Sequence, residues 1–346
     1  MKLLELRVYI VSFFLIIPFA EATSQNNFRV LFYNVENLFD TRNDSLKDDN
    51  DFLPDGFMRW SDWKYKEKLN KITKVITAVG EMNSPALVGL CEVENDSVLH
   101  DLTRRSTLSV QGYNFIVTNS PDERGIDVAL LYQQHQYRLL EYTQYEIKFS
   151  DKRTRPTRNI LHSVGTLINK DTLDIFVCHF PSRISGKHET EKARIESAQV
   201  LRNKVDSILS IRTKPYLIIM GDFNDEPHDK SLLNVLKAKQ KKEIIKSGDL
   251  YNLLFSKNKK AEYGTYKYQG IWSVSDHLIV NGRLLNDDNS IHVKNNKAYI
   301  YNDIFLLEKD EKYFGMKPFR TNLGPRYNGG FSDHLPIYMD LNILLR

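Results

Sequence analysis

Short apolar runs rich in β-branched and aromatic residues recur along the chain. They lie at Phe28–Tyr33, Ala86–Val93, Tyr113–Val117, Asp127–Tyr132, Ser163–Ile168, Leu173–Phe180, Tyr216–Met220, His277–Val280 and Leu335–Leu341. Runs of this length and composition predict strands. Two longer segments carry a different period. Leu69, Ile72, Ile76 and Val79 fall on one stripe of Trp63–Val79, and Ala198, Leu201, Val205 and Ile208 on one stripe of Glu191–Leu209. Both spacings predict amphipathic helices, and Leu232–Leu236 predicts a shorter one. Many strands with a few such helices point to an α/β fold of sheets covered by helices. No linker-like stretch interrupts 28–346, which reads as one domain.

The polar residues that follow these runs are not scattered. GDFNDEP, residues 221–227, comes directly after the apolar run ending at Met220. Asp222 and Asn224 are two apart and project to one side if the strand persists. Gly221 would admit close neighbours. Alone, this segment could equally be a turn. The pattern repeats, however. One run ends in Tyr33-Asn34-Val35-Glu36-Asn37, another in Cys91-Glu92-Val93-Glu94, a third in Cys178-His179-Phe180-Pro181-Ser182-Arg183. Ser275-Asp276-His277 and Ser332-Asp333-His334 open two more. If these ends converge, they form a polar cleft able to hold a divalent cation. Asn, Asp and Glu oxygens suit Mg²⁺, Mn²⁺ or Ca²⁺, and no spacing suits zinc. Imidazoles beside such a site suit acid–base work or stabilisation of phosphate charge. Ser332-Asp333-His334 is not a hydrolase triad, since neighbouring side chains diverge and no GxSxG elbow is present.

Composition adds little. Apolar residues make up 41% of 346 and charged residues 27%, with a net charge of +4. That charge permits a phosphate-bearing partner without arguing for one. The N-terminus says more. Lys2 and Arg7, the apolar stretch Val8–Phe19 and Ala20-Glu21-Ala22 form the three-part pattern of a secretory signal, cleaved after Ala22. The apolar stretch is short for a membrane span. A signal peptide at 1–22 predicts a secreted or periplasmic protein without a stable membrane anchor. Cys91 and Cys178 lie in apolar runs and read as buried free thiols. Asp44–Asp51 is an acidic loop, and Lys148–Arg158 a basic one.

Seven segments, FYNVENLFD, LCEVEN, RGIDVALLY, HFPSR, GDFND, SDHLIV and SDHLPI, resemble the endonuclease/exonuclease/phosphatase family in its own order, across roughly 28–346. The resemblance implies a deoxyribonuclease I-like, four-layer α/β sandwich, with two packed mixed sheets flanked by helices. It implies that Glu92 is the principal metal ligand, with Asn34 and Asp333 in the same shell, and Mg²⁺ as the expected ion. It implies that Asp222 activates the attacking water, Asn224 positions it, and His179 and His334 flank the scissile phosphate. Asp276 would pair with His334, fixing its tautomer and raising its pKa. Abasic-site endonucleases carry Tyr where this chain has His179. The deoxyribonuclease I and sphingomyelinase branches carry His, and HFPSR resembles secreted bacterial members.

The implied reaction is metal-assisted attack of water on a phosphoester, without a covalent intermediate. Nucleic acid is the expected substrate. Arg183, Arg158 and Arg124 are candidate phosphate contacts, and the basic loop around Arg153, Arg155 and Arg158 a backbone contact. A lipid head group or small phosphorylated molecule is the alternative. A lipid enzyme should expose an apolar hairpin, and the sequence shows no clear one. A non-catalytic binding protein on the same fold is the third reading, and it would require loss of a core polar group.

Overall fold

The computed structural model describes residues 28–256 and 263–345. The expected signal peptide at 1–22 lies outside them. Two seven-stranded mixed sheets form the centre. In the first, Phe28–Leu38 pairs in parallel with Leu87–Val93 and antiparallel with Ile337–Ile343. Asp127–Tyr132 and Asn114–Val117 extend it on one side, Ile291–Val293 and Tyr299–Ile300 on the other. In the second, Thr172–His179 pairs in parallel with Leu217–Asp222, which pairs antiparallel with Asp276–Asn281. Ile160–Thr166 and Arg138–Tyr145 lie beyond the first of these, and Leu250–Asn252 and Ala238–Lys239 beyond the last.

Buried side chains explain the layering. Phe32, Leu87, Val128, Val177, Met220 and Leu278 belong to one core between the sheets. Leu69, Ile72, Ile76 and Val79 of helix Asp62–Gly80 cover Leu31, Val88 and Leu90 on the outer face of the first sheet. Ala198, Leu201, Val205 and Ile208 of helix Glu191–Ile211 cover Phe176, Leu217 and Ile219 on the outer face of the second. The architecture is the expected α/β sandwich. The sheets pack tightly at Gly89, where a Cβ would come within 2.5 Å of the Met220 sulfur of the second sheet and 3.1 Å of Phe32 in its own.

Most differences from expectation are at the edges. The run at Ser163–Ile168 is a strand at Ile160–Thr166. Leu232–Leu236 gives only one turn, Ser231–Val235. Arg138–Tyr145 is a mostly exposed strand without apolar alternation. Both cysteines are buried and free. No helix among the described residues is long and apolar enough to cross a membrane.

Candidate active site

Parallel pairing within each sheet brings strand ends of like polarity together. Asn34 and Glu92 come from the first sheet, His179 and Asp222 from the second. Asp276 lies opposite Asp222 in the ladder. A Cβ at Gly221 would overlap the Cys178 carbonyl, so only glycine lets the strands carrying Asp222 and His179 run so close.

Asp222 is the hub. It is buried, and its Oδ1 accepts the Asn224 N–H at 2.9 Å. Asn224 reaches that position with φ of +50°, then donates its side-chain amide to the Phe180 carbonyl at 3.1 Å. The two residues therefore do not project together as strand neighbours. Asp222 faces the cleft and Asn224 caps it from a turn. Asp222 Oδ2 accepts from Asn34 Nδ2 at 3.1 Å and lies 3.7 Å from both His179 Nε2 and His334 Nε2. Asn34 Nδ2 also reaches Glu92 Oε1 at 3.4 Å, so one carboxamide bridges two carboxylates and two sheets. Glu92 sits at φ of +62° in a register break of its strand. Its Oε2 accepts the Asn37 N–H at 3.0 Å, and its Oε1 lies 3.9 Å from His179.

His334 and Asp276 form the expected pair, with Nδ1 and Oδ2 2.8 Å apart. Burial disfavours the charged ring, but Asp276 and Asp222 outweigh it and hold the pKa well above the ordinary value. His179 goes the other way. Burial, then Arg158 and Arg124, push it well below. Burial raises the Asp222 carboxyl to about 7; the His334 ring pulls it down and Asp276 adds to the rise. A charged imidazole thus faces a neutral one across a carboxylate whose hold on a proton burial has strengthened. That arrangement can stabilise anionic oxygen on one side and accept a proton at the centre.

The carboxylates present fit a hard divalent cation, to which His334 could add a nitrogen only after its ring loses its proton. Among the described residues, Asp222, Asp276 and His334 offer ligand atoms within 4.8 Å of one another. Asp276 Oδ1 is buried without a hydrogen-bond partner among them. The expected set of Glu92, Asn34 and Asp333 is more dispersed. Asn34 turns amide hydrogens rather than oxygen toward the carboxylates, and Asp333 Oδ2 is held by Arg320 at 3.1 Å.

The arginines need correction. Arg158 is buried, paired with Asp122 at 3.2 Å and donating to the Phe180 carbonyl at 2.7 Å. It props the site from behind and offers nothing to a phosphate. Arg183 donates to Asp225 at 3.0 Å and Asp229 at 2.6 Å, below the GDFND loop. Arg124 is half exposed and lies 3.7 Å from Asp122. Arg153 and Arg155 are taken up by Asp151 and Glu123. Both of these pairs are on the surface, with Arg153 90% and Arg155 85% exposed, and only Asp151 belongs to the loop itself.

Four residues were not foreseen. Glu36 is buried and accepts from Arg320 Nε at 3.1 Å and from the Thr321 N–H at 2.6 Å. Arg320 thus joins Glu36 to Asp333. Lys68 is fully buried and donates to Thr321 and to the Phe331 carbonyl, bracing the segment that leads to Asp333. Tyr266 lays its ring 4.9 Å from that of His334. Glu36 stands two residues after Asn34, which alone could have flagged it. The other three carry no local signal. A separate cavity of about 630 Å³, lined by Asp40, Asp62, Tyr65, Asp96 and Asp101, holds none of the site residues.

Residues 29–343 match the profile of the endonuclease/exonuclease/phosphatase family. No curated protein sequence matches significantly. Among solved structures, a mannosyl-6-phosphatase from Bacteroides thetaiotaomicron is 19% identical with a TM-score of 0.56, covering 91% of this chain and 99% of its own. D. rerio TDP2 complexed with single-strand DNA product is 15% identical with a TM-score of 0.55, covering 92% and 99%. The human Nocturnin catalytic domain with bound sulfate is 16% identical with a TM-score of 0.53, covering 91% and 94%. At these identities the likeness is one of fold.

Proposed function

The chain belongs to the endonuclease/exonuclease/phosphatase family, and from that membership and the geometry of the cleft we propose that it hydrolyses phosphodiesters of DNA or RNA with a divalent metal. One observation carries the reading. A buried carboxylate, Asp222, is fixed by the Asn224 N–H and the Asn34 amide, with an imidazole 3.7 Å away on each of two sides. Glu92 would hold the cation, Mg²⁺ before Mn²⁺ or Ca²⁺; for Asn34 and Asp333 to join it, the Asn34 carboxamide would have to turn its oxygen inward and Asp333 would have to leave Arg320. A cation there offsets charge on the phosphate and on the leaving oxygen. Asp222 accepts the proton of the attacking water, which Asn224 orients. His334, kept charged by Asp276, holds a phosphate oxygen, and neutral His179 donates a hydrogen bond from the other side. Water attacks in line, and no enzyme residue becomes covalently attached. We propose further that residues 1–22 direct export, so that the substrate is met outside the cytoplasm.

A second reading keeps this centre and changes the substrate to a small phosphorylated molecule or a lipid head group. The fold also serves a mannosyl-6-phosphatase, which makes sugar phosphates worth including. The test is a panel of plasmid DNA, single-stranded RNA, sphingomyelin, phosphorylated inositols and mannose 6-phosphate, with Mg²⁺ or chelator. Chelator-sensitive cutting of nucleic acid is expected. In Asp222→Asn it should fall by roughly 10²–10⁴-fold, the worth of a positioned base. Intact nucleic acid with release of a small product would move the substrate to the second reading. Near-full activity of Asp222→Asn would overturn the proton-acceptor assignment.

A further inference from the structure

The strands Tyr266–Tyr268 and Ile271–Ser273 form a hairpin that runs from the catalytic ring into solvent. Its root is fixed, because Tyr266 bridges to His334 through the backbone. Alternate strand residues share a face. Tyr266 and Tyr268 therefore lie on one face, and Lys267 on the other. The register places Ile271 beside Tyr268, and Trp272 beside Lys267.

The Lys267 face is tied down. Its ammonium pairs with Asp310 at 2.9 Å and donates to the Phe314 and Met316 carbonyls, each at 3.0 Å. These belong to a second hairpin, Leu307–Lys309 with Met316–Pro318. At the tip, Gly270 has φ of +84°, and a Cβ there would come within 2.8 Å of the Tyr313 Cβ. The opposite face is bare. Tyr268 is 63% exposed and Ile271 73%, with Phe314 81% exposed at the neighbouring tip. A braced hairpin thus presents an aromatic and an aliphatic side chain to water beside the catalytic imidazole. Nothing in the core needs them there, and exposed apolar groups clustered in this way mark a binding surface, of the kind the sequence did not reveal and that a lipid enzyme would also expose.

We propose that Tyr268 and Ile271 form a stacking shelf for the nucleobases of a single strand whose scissile phosphate lies at His334. The inference rests on the nucleic-acid reading above and narrows it to single-stranded substrate. Two residues of strand advance about 7 Å, the rise of two stacked nucleotides at about 3.4 Å each. Tyr268 therefore stands one to two bases from the root of the hairpin. Stacking on such a ring accepts any base. Charge agrees, since the Lys312 ammonium lies 4.9 Å over the Tyr313 ring at the adjoining tip, where it can meet the strand's phosphates. Arg158 of the basic loop, by contrast, is buried against Asp122.

The test compares the double variant Tyr268→Ala/Ile271→Ser with its parent. Both carry Asp222→Asn so that strands are not cut. Binding of a labelled oligothymidylate and of an equally long abasic strand is followed by fluorescence anisotropy in Mg²⁺. The double variant should bind oligothymidylate about tenfold more weakly and the abasic strand unchanged. Tyr268→Trp should bind at least as well as the parent. Equal loss on both strands, or no loss, overturns the shelf while leaving the nucleic-acid reading in place. Failure of the parent to bind, and of the wild type to cut, any strand overturns both. Loss of binding to phosphatidylcholine–phosphatidylserine vesicles, with oligothymidylate binding intact, would make the hairpin a membrane anchor and overturn the shelf.

Discussion

Replacing Arg194 with methionine removes the cation on which the GDFND loop is fastened. Arg194 is fully buried in helix Glu191–Ile211, and its Nε lies 2.7 Å from Asp225 Oδ1. Its other nitrogens donate to Thr190 at 2.6 Å and the Lys187 carbonyl at 2.9 Å. Asp225, 1% exposed, also accepts from Ser231 at 2.6 Å, and its backbone carbonyl meets His277 at 2.9 Å. Without Arg194, this buried carboxylate keeps the Ser231 hydroxyl but only one cation, Arg183, which it shares with Asp229. Losing one partner of a buried ion pair costs about 3–5 kcal/mol. With an unfolding entropy of about 0.6 kcal/mol/K for roughly 300 residues, Tm should fall by roughly 5–8 °C. Asp225 is three residues from Asp222, so the loss should reach the catalytic carboxylate. A displacement near 1 Å lowers turnover by about 10²-fold, with KM little changed. Thermal unfolding and steady-state kinetics read the two effects separately. Arg194→Met/Asp225→Leu should regain part of the stability, because no charge is left alone, but not the turnover. A Tm change under about 2 °C with unchanged kcat would show that the pair does not hold the loop.

Two further expectations concern protons. Asp276→Asn removes the larger of the two carboxylate charges that keep the His334 ring protonated and leaves Asp222 alone against the pull of burial. The ring's pKa should fall; an unmoved NMR titration of His334 would contradict this. Glu94 is pushed up to about 8 by burial, against the Asp40 N–H bond, with Asp40, Asp49 and Asp44 adding to the rise. An acid raised in the folded state binds its proton more tightly there than when unfolded. Its ionisation therefore destabilises progressively from about pH 4.5 and fully above about 8. Relative to Glu94→Gln, the wild type should lose Tm between pH 5 and pH 9, and parallel curves for the two proteins would refute the sign.

What could be read in the chain depended on how local each signal was. Asp222, Glu92, His179 and His334 each sit within two residues of an apolar run, so strand prediction alone put them at strand ends. The parallel pairing that gathers those ends is a property of the whole sheet, and the family resemblance supplied it in advance. The carboxylate partners of Arg183, Asp225 and Asp229, could not be seen in sequence because they are 42 and 46 residues away. A cation near His179 looks free until the chain closes. Arg158 likewise meets Asp122 across 36 residues. Arg138–Tyr145 escaped because it is mostly exposed, and an edge strand facing water has no apolar alternation to show. The hairpin at Tyr266–Ser273 escaped because its strands have three residues each, and Lys267 gives it a polar look that only burial against Asp310 removes.

The packing of Gly89 against Met220 sets a tolerance as well as a contact. Asn34 and Glu92 ride on one sheet, and Asp222 and His179 on the other, so the spacing between sheets is also the spacing between the two jaws of the cleft. A side chain inserted at position 89 would act as a shim. It would widen the gap three residues before Glu92 and two before Asp222 along their strands, while the Asn34–Asp222 bridge at 3.1 Å has almost no slack to absorb it. The hydrophobic layer between the sheets works as the gauge block of the catalytic centre, and a change of one or two methyl groups there should be felt in turnover before it is felt in folding.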